Sequence, residues 1–226
     1  MKHLYTATLV ALSFTGALQA QVQLKNHSAT PTFVVKKDLP AIQVYSLMGS
    51  ADAFPQSPNF KFGGSADGAG LLRNNDGTFT YILNHEDNFA VSRITFDNTF
   101  APIKGEYILN SNAGQWRLCS ATMATPAEHG FGPKFITCGE SGVESMTHAF
   151  DPYGAPKLDS LSEVVNLARG LGRWSAENAL PLNKNAYPNK TVIVMGDDDS
   201  GANGGQVVLY IADAVGDLNN GKLYAL

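Results

Sequence analysis

The chain has 226 residues, of which 44% are hydrophobic and 16% are charged, and its formal net charge is −4. This length accommodates one substantial core or two small ones. No block of Lys and Arg is present, which argues against a nucleic acid as a partner, and the 22 glycines and 11 prolines are typical of short strands joined by turns.

Residues 1–20 have the pattern of a secretory signal peptide. Lys2 and His3 give a basic start, residues 4–18 are apolar with small residues among them, and Ala20 offers a small residue at a cleavage site. The apolar run is too short and too interrupted for a membrane span, and a buried N-terminal helix is the alternative. No second apolar stretch of spanning length follows, so we expect a secreted or periplasmic protein without a membrane span.

The rest of the chain predicts strands and turns. Residues 21–40 are polar and mixed, and we interpret them as a flexible lead-in. From residue 41 onward, short apolar stretches alternate with clusters of Gly, Asn, Asp and Pro. A short helix is predicted over Leu161–Leu171. The predicted strands include Ile42–Met48, Thr78–Leu83, Val91–Phe96, Glu106–Leu109, Lys134–Cys138, Thr191–Met195, Gln206–Ile211 and Lys222–Leu226.

A repeat becomes visible when YILNHED at 81–87 is compared with FITCGES from residue 135 and VIVMGDD from residue 192. The alignment places Glu86, Glu140 and Asp197 in register, at offsets of 54 and 57 residues. A repeat of about 50 residues with about four strands indicates β-propeller blades, and a β-sandwich or an irregular β protein is the alternative.

We therefore predict an all-β, propeller-like fold with about three blades over residues 41–226. Closed propellers need four to eight blades, so the sequence predicts an incomplete propeller. An unclosed stack leaves blade faces bare and a sheet edge unpaired, and we expect such a piece to associate or to have little activity by itself.

The ends of the repeated strands carry candidate ligands. Asn84, His85 and Glu86 follow an apolar run, and Glu140 and Asp197 end the corresponding runs. Oxygen donors suit calcium, whereas imidazole and thiolate suit a transition metal. Carboxylates that crowd around one mouth of a propeller repel one another unless a cation lies among them. Solvated turns are the alternative for each residue alone.

The two cysteines and one arginine each leave two interpretations open. In an exported protein Cys119 and Cys138 could form a disulfide, or one of them could be a metal thiolate. Arg173 is followed by Trp174 and Glu177. Its guanidinium could hold a phosphate or carboxylate with two hydrogen bonds, or it could form a surface ion pair.

Taken together, several segments resemble the PhoX-type alkaline phosphatases, a family of secreted propellers that use calcium and iron. The matching segments occur in the family's order over about residues 68–226: LLRNNDGTFTYILNHED, LCSATMATP, KFITCGES, AFDPYGAP, GLGRW and VIVMGDDD. The chain departs from the family at Ala149 and Ala176, where an acid and a histidine are expected, and in TPAEHGFGPK, which replaces a Thr-Pro-Trp-Gly element.

The resemblance implies roles for individual residues. Asn84 and Glu86 fall in the family's Asn-His-Glu element, Cys119 matches its iron-ligating cysteine, and Cys138 and Glu140 match its Cys-Glu strand end. Arg173 and Glu177 match its Gly-Arg-aromatic element. The candidate catalytic residues are Asn84 and Arg173, and the candidate metal ligands are Glu86, Cys119, Glu140, Glu177 and Asp197.

The implied function is metal-dependent hydrolysis of small phosphomonoesters, with calcium and iron as cofactors. The resemblance also implies that further site residues belong to a C-terminal part beyond Leu226. The alternative is a non-enzymatic secreted propeller that keeps calcium for stability and binds a partner on its rim.

The N-terminal pattern gives the first testable prediction. In a secreting host, mass spectrometry of the exported protein should find Gln21 or a close neighbour as the first residue, because the cleavage site lies near Ala20. The variant Leu9→Arg interrupts the apolar run and should stay inside the cell. Exported protein that begins at Met1 would contradict the prediction.

Overall fold

The computed structural model describes residues 23–32, 38–114, 116–158, 168–199, 201–202 and 204–226. These residues form an all-β structure of three antiparallel sheets with four, three and four strands. The signal peptide and most of the predicted helix lie outside the described residues. At the end of that predicted helix, Arg169–Leu171 form a single 3₁₀ turn.

The sheets follow one another along the chain, and each is built from consecutive strands. Sheet 1 comprises β1 (Ala66–Arg73), β2 (Phe79–His85), β3 (Ala90–Phe96) and β4 (Pro102–Leu109). Sheet 2 comprises β5 (Leu118–Ala124), β6 (Lys134–Gly139) and β7 (His148–Phe150). Sheet 3 comprises β8 (Ala176–Pro181), β9 (Thr191–Asp197), β10 (Val207–Ala212) and β11 (Lys222–Ala225).

Short helical segments lie in the connections between strands. A 3₁₀ turn over Glu86–Asn88 links β2 to β3. Four-residue helical turns, α1 (Ser111–Gly114) and α2 (Pro126–His129), follow β4 and β5. Thr125 caps the second of these, because its hydroxyl accepts a hydrogen bond from the backbone N–H of Glu128.

The first strand of every sheet lies at one edge of that sheet, and these first strands contact one another. The sheet orders are β1-β2-β3-β4, β5-β6-β7 and β8-β9-β10-β11. Strand β1 packs against β5, and β5 packs against β8. The three sheets therefore converge along their first strands.

Apolar side chains fill the two gaps between the sheets. Between sheets 1 and 2 the core includes Ile82, Leu109, Leu118 and Phe135. Between sheets 2 and 3 the core includes, at its centre, Ile136, Cys138, Ile193, Met195 and Tyr210. All of these side chains are fully buried. Burial of apolar area in these gaps, at about 25 cal/mol per Å², supplies the main favourable free energy of the stack.

The outer face of sheet 1 is covered by the segment that precedes it. Phe54 and Phe60 from this segment pack on Ile94 and Phe96 of β3, with Met48 at the margin. The predicted strand over Ile42–Met48 is wrong, since the backbone there joins no sheet. Hydrogen bonds to the lead-in hold this segment instead: the N–H of Ser46 donates to Asn26 Oδ1 over 2.8 Å.

The described part of the lead-in is tied to the body of the protein. The backbone N–H of His27 donates to the carbonyl of Ser46 over 2.8 Å. The hydroxyl of Ser28 donates to Asp52 Oδ2 over 2.6 Å. In the described part of the chain, no helix is long and apolar enough to cross a membrane.

Small residues permit the close approach of the first strands. A Cβ atom at Gly68 would lie 2.3 Å from the backbone N of Ala121 and 2.5 Å from the carbonyl oxygen of Cys119, both in β5. Further along β1, a Cβ at Gly70 would lie 2.7 Å from Cβ of Met123. A side chain larger than hydrogen at either glycine would push sheets 1 and 2 apart.

This contact gives a stability prediction. The substitution Gly68→Ala should lower the free energy of unfolding by about 1–3 kcal/mol, because its Cβ overlaps backbone atoms that cannot rotate away. Chemical denaturation monitored by circular dichroism measures the change.

The matched control is Gly64→Ala, four residues upstream. A Cβ there meets its nearest atom, Asp87 Oδ2, at an ordinary 3.6 Å, so its unfolding free energy should stay within about 0.5 kcal/mol of the original. Equal effects of the two substitutions would show that β1 and β5 do not pack as closely as described.

Candidate metal centre

In each sheet, acidic or thiol side chains lie where the first strand begins and the second strand ends. The two strands are antiparallel, so the start of the first strand lies beside the end of the second strand. In sheet 1 they are Asp67 and Glu86, and in sheet 2 they are Cys119 and Glu140. Because the first strands of the three sheets adjoin, these strand ends meet at one end of the stack, which we call its mouth.

A β-bulge recurs at the same place in every first strand. The pairing register shifts after Ala66↔His85 in sheet 1, after Leu118↔Gly139 in sheet 2 and after Ala176↔Asp197 in sheet 3. Bulges bend a strand and re-aim side chains. The residues that follow these pairs, inside the bulges, are Asp67, Cys119 and Glu177.

The three bulged residues meet, and Cys119 lies between the other two. Its Sγ is 3.0 Å from Asp67 Oδ2 and 3.7 Å from Glu177 Oε1. Two groups of potential ligand atoms overlap at this sulfur: Asp67, Glu86 and Cys119 form one, and Cys119, Glu140 and Glu177 form the other. Within each group the ligand atoms lie within 4.8 Å of one another. We call these five residues the cluster.

The structure thus brings together four of the five predicted metal ligands and adds Asp67. The sequence signal for Asp67 was a spacing: each bulged residue precedes the acid at its strand end by 19 to 21 residues. That signal could not be used without knowing where the first strands run. The fifth predicted ligand, Asp197, lines a neighbouring cavity with Glu140.

The third repeat is shifted by one residue from its predicted register. The equivalent pairs Leu118↔Gly139 and Ala176↔Asp197 make Asp197 the counterpart of Gly139. The counterpart of Glu140 is therefore Asp198. Backbone hydrogen bonds agree, since the N–H of Glu140 donates to Arg117 and the N–H of Asp198 donates to Ser175, over 2.9 and 3.0 Å. A shift of one residue changes the face on which a strand residue lies.

Arg117 is a site residue that the sequence analysis missed. Its Nη2 lies 2.9 Å from Glu86 Oε2, and its Nε lies 3.2 Å from Glu140 Oε1. The guanidinium thus joins the strand ends of sheets 1 and 2. Arg117 stands two residues before Cys119, and side chains two apart in an extended chain lie on one face.

Burial and crowding raise two pKa values in the cluster. Burial, followed by the hydrogen bond to Asp67 and the charge of Glu140, raises the pKa of the Cys119 thiol well above its usual range. Burial, the adjacent Glu86 and the charge of Asp198 raise the pKa of Glu140 to about 7. Both groups are therefore disposed to hold protons when no metal ion lies among them, and a bound metal ion would favour their charged forms.

Asn84 lies beside the cluster and is completely buried. Its Nδ2 donates to the backbone carbonyl of Cys119, and to Thr137 Oγ1 over 2.7 Å. Its Oδ1 has no hydrogen-bond partner among the described residues. A buried amide oxygen without a partner costs about 1–3 kcal/mol, and next to a set of candidate ligands it is an acceptor available to a ligand of the centre.

The other predicted site residues have separate surroundings. Arg173 is largely exposed, and its Nε lies 3.1 Å from Glu144 Oε2. Both cysteines are free thiols, so the structure contains no disulfide between Cys119 and Cys138. Cys138 is buried in the core between sheets 2 and 3, where burial raises the pKa of its thiol to about 12.

A cavity of about 680 Å³ adjoins the cluster between the rims of sheets 2 and 3. Glu140, Asp197 and Asp198 line one side of it. The rest of the lining mixes polar residues, such as Gln206, with apolar ones, among them Trp174, whose Nε1 donates to the carbonyl of Leu171 over 2.8 Å. The cavity gives a small molecule access to the carboxylate side of the cluster.

The donor set fits metal ions. Carboxylates from Asp67, Glu86, Glu140 and Glu177 supply the hard oxygen ligands that calcium prefers, and the Cys119 thiolate suits a transition metal such as iron. The amide of Asn84, whose Nδ2 donates to the Cys119 carbonyl, also carries a buried oxygen that has no hydrogen-bond partner among the described residues.

Comparisons with known proteins name no relative. No family model, no curated protein and no solved structure matches the chain.

The raised pKa of Glu140 gives a pH-dependent stability prediction for the metal-free protein. Because this pKa rises from 4.5 to about 7 on folding, the folded state holds more protons than the unfolded state between these values. Stability should therefore fall as the pH rises from about 5 to 8. The Glu140→Gln variant lacks this titrating carboxyl group. In excess chelator, its melting temperature should therefore fall between pH 5 and 8 by at least about 2 °C less than that of the original protein.

The matched control is Glu144→Gln. The Glu144 side chain is 72% exposed, so its removal should leave the pH dependence unchanged. If the Glu140→Gln curve ran parallel to the original curve at every pH, Glu140 would not titrate as described.

Proposed function

We propose that the cluster is a metal centre for the hydrolysis of small phosphomonoesters, and that the three sheets are blades of a β-propeller whose first strands surround the axis. The observation that carries this proposal is the convergence of three equivalent bulged strand starts, Asp67, Cys119 and Glu177, at one mouth of the stack. One ligand-bearing residue at the same position in each sheet is the arrangement expected of a site built around a shared axis.

The residues proposed to hold the metals are those of the cluster. The group with Asp67 and Glu86 and the group with Glu140 and Glu177 share Cys119, so they could hold two neighbouring ions. Calcium is proposed for the carboxylates and iron for the thiolate, on the basis of ligand chemistry and of the resemblance to PhoX-type phosphatases. Asp197 and Asp198 could extend the centre toward the cavity.

The bound metals would polarise the phosphoryl oxygens and activate an oxygen nucleophile. The chain's own residues would orient the substrate. Asn84 is held rigidly by its two donated hydrogen bonds, which leaves its amide next to the centre in a fixed orientation. The apolar wall of the cavity, including Trp174, would contact the alcohol part of the ester. Arg173 remains a proposed phosphate-binding residue from the resemblance.

A second candidate function is a secreted propeller that binds calcium for stability alone. The observation that favours it is that the cluster joins all three sheets: Asp67 belongs to sheet 1, Cys119 to sheet 2 and Glu177 to sheet 3. A cation held by these residues would tie the sheets together where they converge. Such an ion stabilises the folded state by mass action whether or not a reaction occurs.

The test combines metal analysis, thermal denaturation and an assay with p-nitrophenyl phosphate, on protein supplied with calcium and iron and on chelator-treated protein. We expect bound metal, a melting temperature that rises with metal concentration, and slow hydrolysis that the chelator abolishes, slow because the sequence predicts an incomplete propeller. The variants Cys119→Ser and Glu177→Gln should lose activity by more than the roughly 10- to 100-fold typical of residues that orient ligands.

The control is Asp213→Asn, which removes a carboxylate whose side chain is 91% exposed and paired with Lys190; its metal content and activity should stay unchanged. Bound metal and a raised melting temperature without hydrolysis would establish the second candidate function. Absence of metal binding at millimolar calcium and iron would refute both.

A further inference from the structure

The Arg117 side chain lies between two carboxylates of the cluster, those of Glu86 and Glu140. Each carboxylate belongs to a different ligand group. The ion pairs of Arg117 with Glu86 and Glu140 are close, with nitrogen–oxygen distances of 2.9 and 3.2 Å. The two carboxylate side chains are 17% and 9% exposed, whereas the Arg117 side chain is 49% exposed. Among the described residues, Arg117 is the partner in every ion pair made by these two carboxylates.

We propose that the Arg117 guanidinium and the metal ions are alternative partners for Glu86 and Glu140, and that metal binding frees Arg117 to bind the phosphoryl oxygens of the substrate. This inference rests on the proposed metal centre. It assigns the positioning of the anionic substrate to Arg117, which was not among the residues predicted for the site.

The exchange follows from the chemistry of the two oxygens. Glu86 Oε2 and Glu140 Oε1 each form an ion pair with one guanidinium nitrogen, and the two side chains belong to different candidate ligand groups. A cation held by either carboxylate at 2.3–2.6 Å, the range for calcium, draws negative charge away from both of its oxygens, and the positive charges of metal and guanidinium repel each other. Metal binding therefore weakens both contacts of Arg117.

The released guanidinium stays beside the centre, because hydrogen bonds hold the backbone of Arg117 immediately before β5. The carbonyl of Arg117 accepts a hydrogen bond from the N–H of Glu140 over 2.9 Å, and the N–H of Arg117 donates to Ser141 Oγ over 2.7 Å. The half-exposed side chain can turn without disturbing the core. A planar guanidinium presents two parallel donors to a phosphate. The guanidinium of Arg173, the other candidate for phosphate binding, is paired with Glu144.

The first arm of the test uses chelator-treated protein and calcium alone. Arg117→Gln should lower the melting temperature of metal-free protein, because Glu86 and Glu140 lose their counter-ion. In isothermal titration with calcium chloride, the same variant should bind calcium about tenfold more tightly, because no guanidinium has to be displaced. The control is Arg73→Gln, an exposed arginine at the far end of β1, which should change neither quantity.

The second arm uses metal-loaded protein and inorganic phosphate. Arg117→Gln should weaken phosphate binding about tenfold or more, the loss expected for charge-assisted hydrogen bonds, and Arg117→Lys should recover part of the affinity. Arg73→Gln should bind phosphate like the original protein. Arg173→Gln is the rival variant: if it weakens phosphate binding and Arg117→Gln does not, the assignment to Arg117 is overturned.

The outcomes separate this inference from the proposed function. If calcium binds with equal affinity to the original protein and to Arg117→Gln, the metal centre stands and the exchange is refuted. If neither protein binds calcium or iron, the metal centre is refuted and the exchange with it. Tighter calcium binding together with weaker phosphate binding in Arg117→Gln supports the inference in both parts.

Discussion

The close approach of the first strands is the constraint on which the rest of the structure depends. Strand β5 contacts β1 on one side and β8 on the other, and Gly68 brings the backbones of β1 and β5 nearly into contact. Convergence of the sheets makes two apolar gaps, which the buried side chains of the two cores fill. It also makes the strand ends meet, so the same packing that stabilises the stack assembles the cluster.

This convergence has an electrostatic cost that distinguishes the mouth of the stack from an ordinary surface. Acidic side chains from three sheets surround one thiol, and Arg117 is the cation that contacts them among the described residues. The pKa of Glu140 rises because burial and neighbouring carboxylates both disfavour its charge. The close packing of the first strands therefore brings an unfavourable electrostatic contribution to the mouth of the stack.

Sequence patterns predicted the second strands well and missed the first strands. The runs in β2, β6 and β9 are rich in β-branched and aromatic residues, which indicate strands. The first strands, ADGAGLLR, LCSATMA and AENALP, consist largely of small and polar residues. Close packing between strands requires small residues, and the cluster requires acids and a thiol. The segments that carry the site therefore have low strand propensity.

The sequence by itself determined the all-β class, the order of the strands that form the sheet interiors, and two residues of the cluster, Glu86 and Glu140, because short apolar runs and strand-end acids are local features. Glu177 became a ligand candidate, and Cys119 the favoured thiolate, only through the resemblance. Tertiary structure decided three things that are not local. It placed Asp67 and Arg117 beside Cys119, it made Asp198 rather than Asp197 the counterpart of Glu140, and it kept both thiols free. Each depends on a bulge or on a contact between sheets, whose position is fixed by packing between residues far apart in the chain.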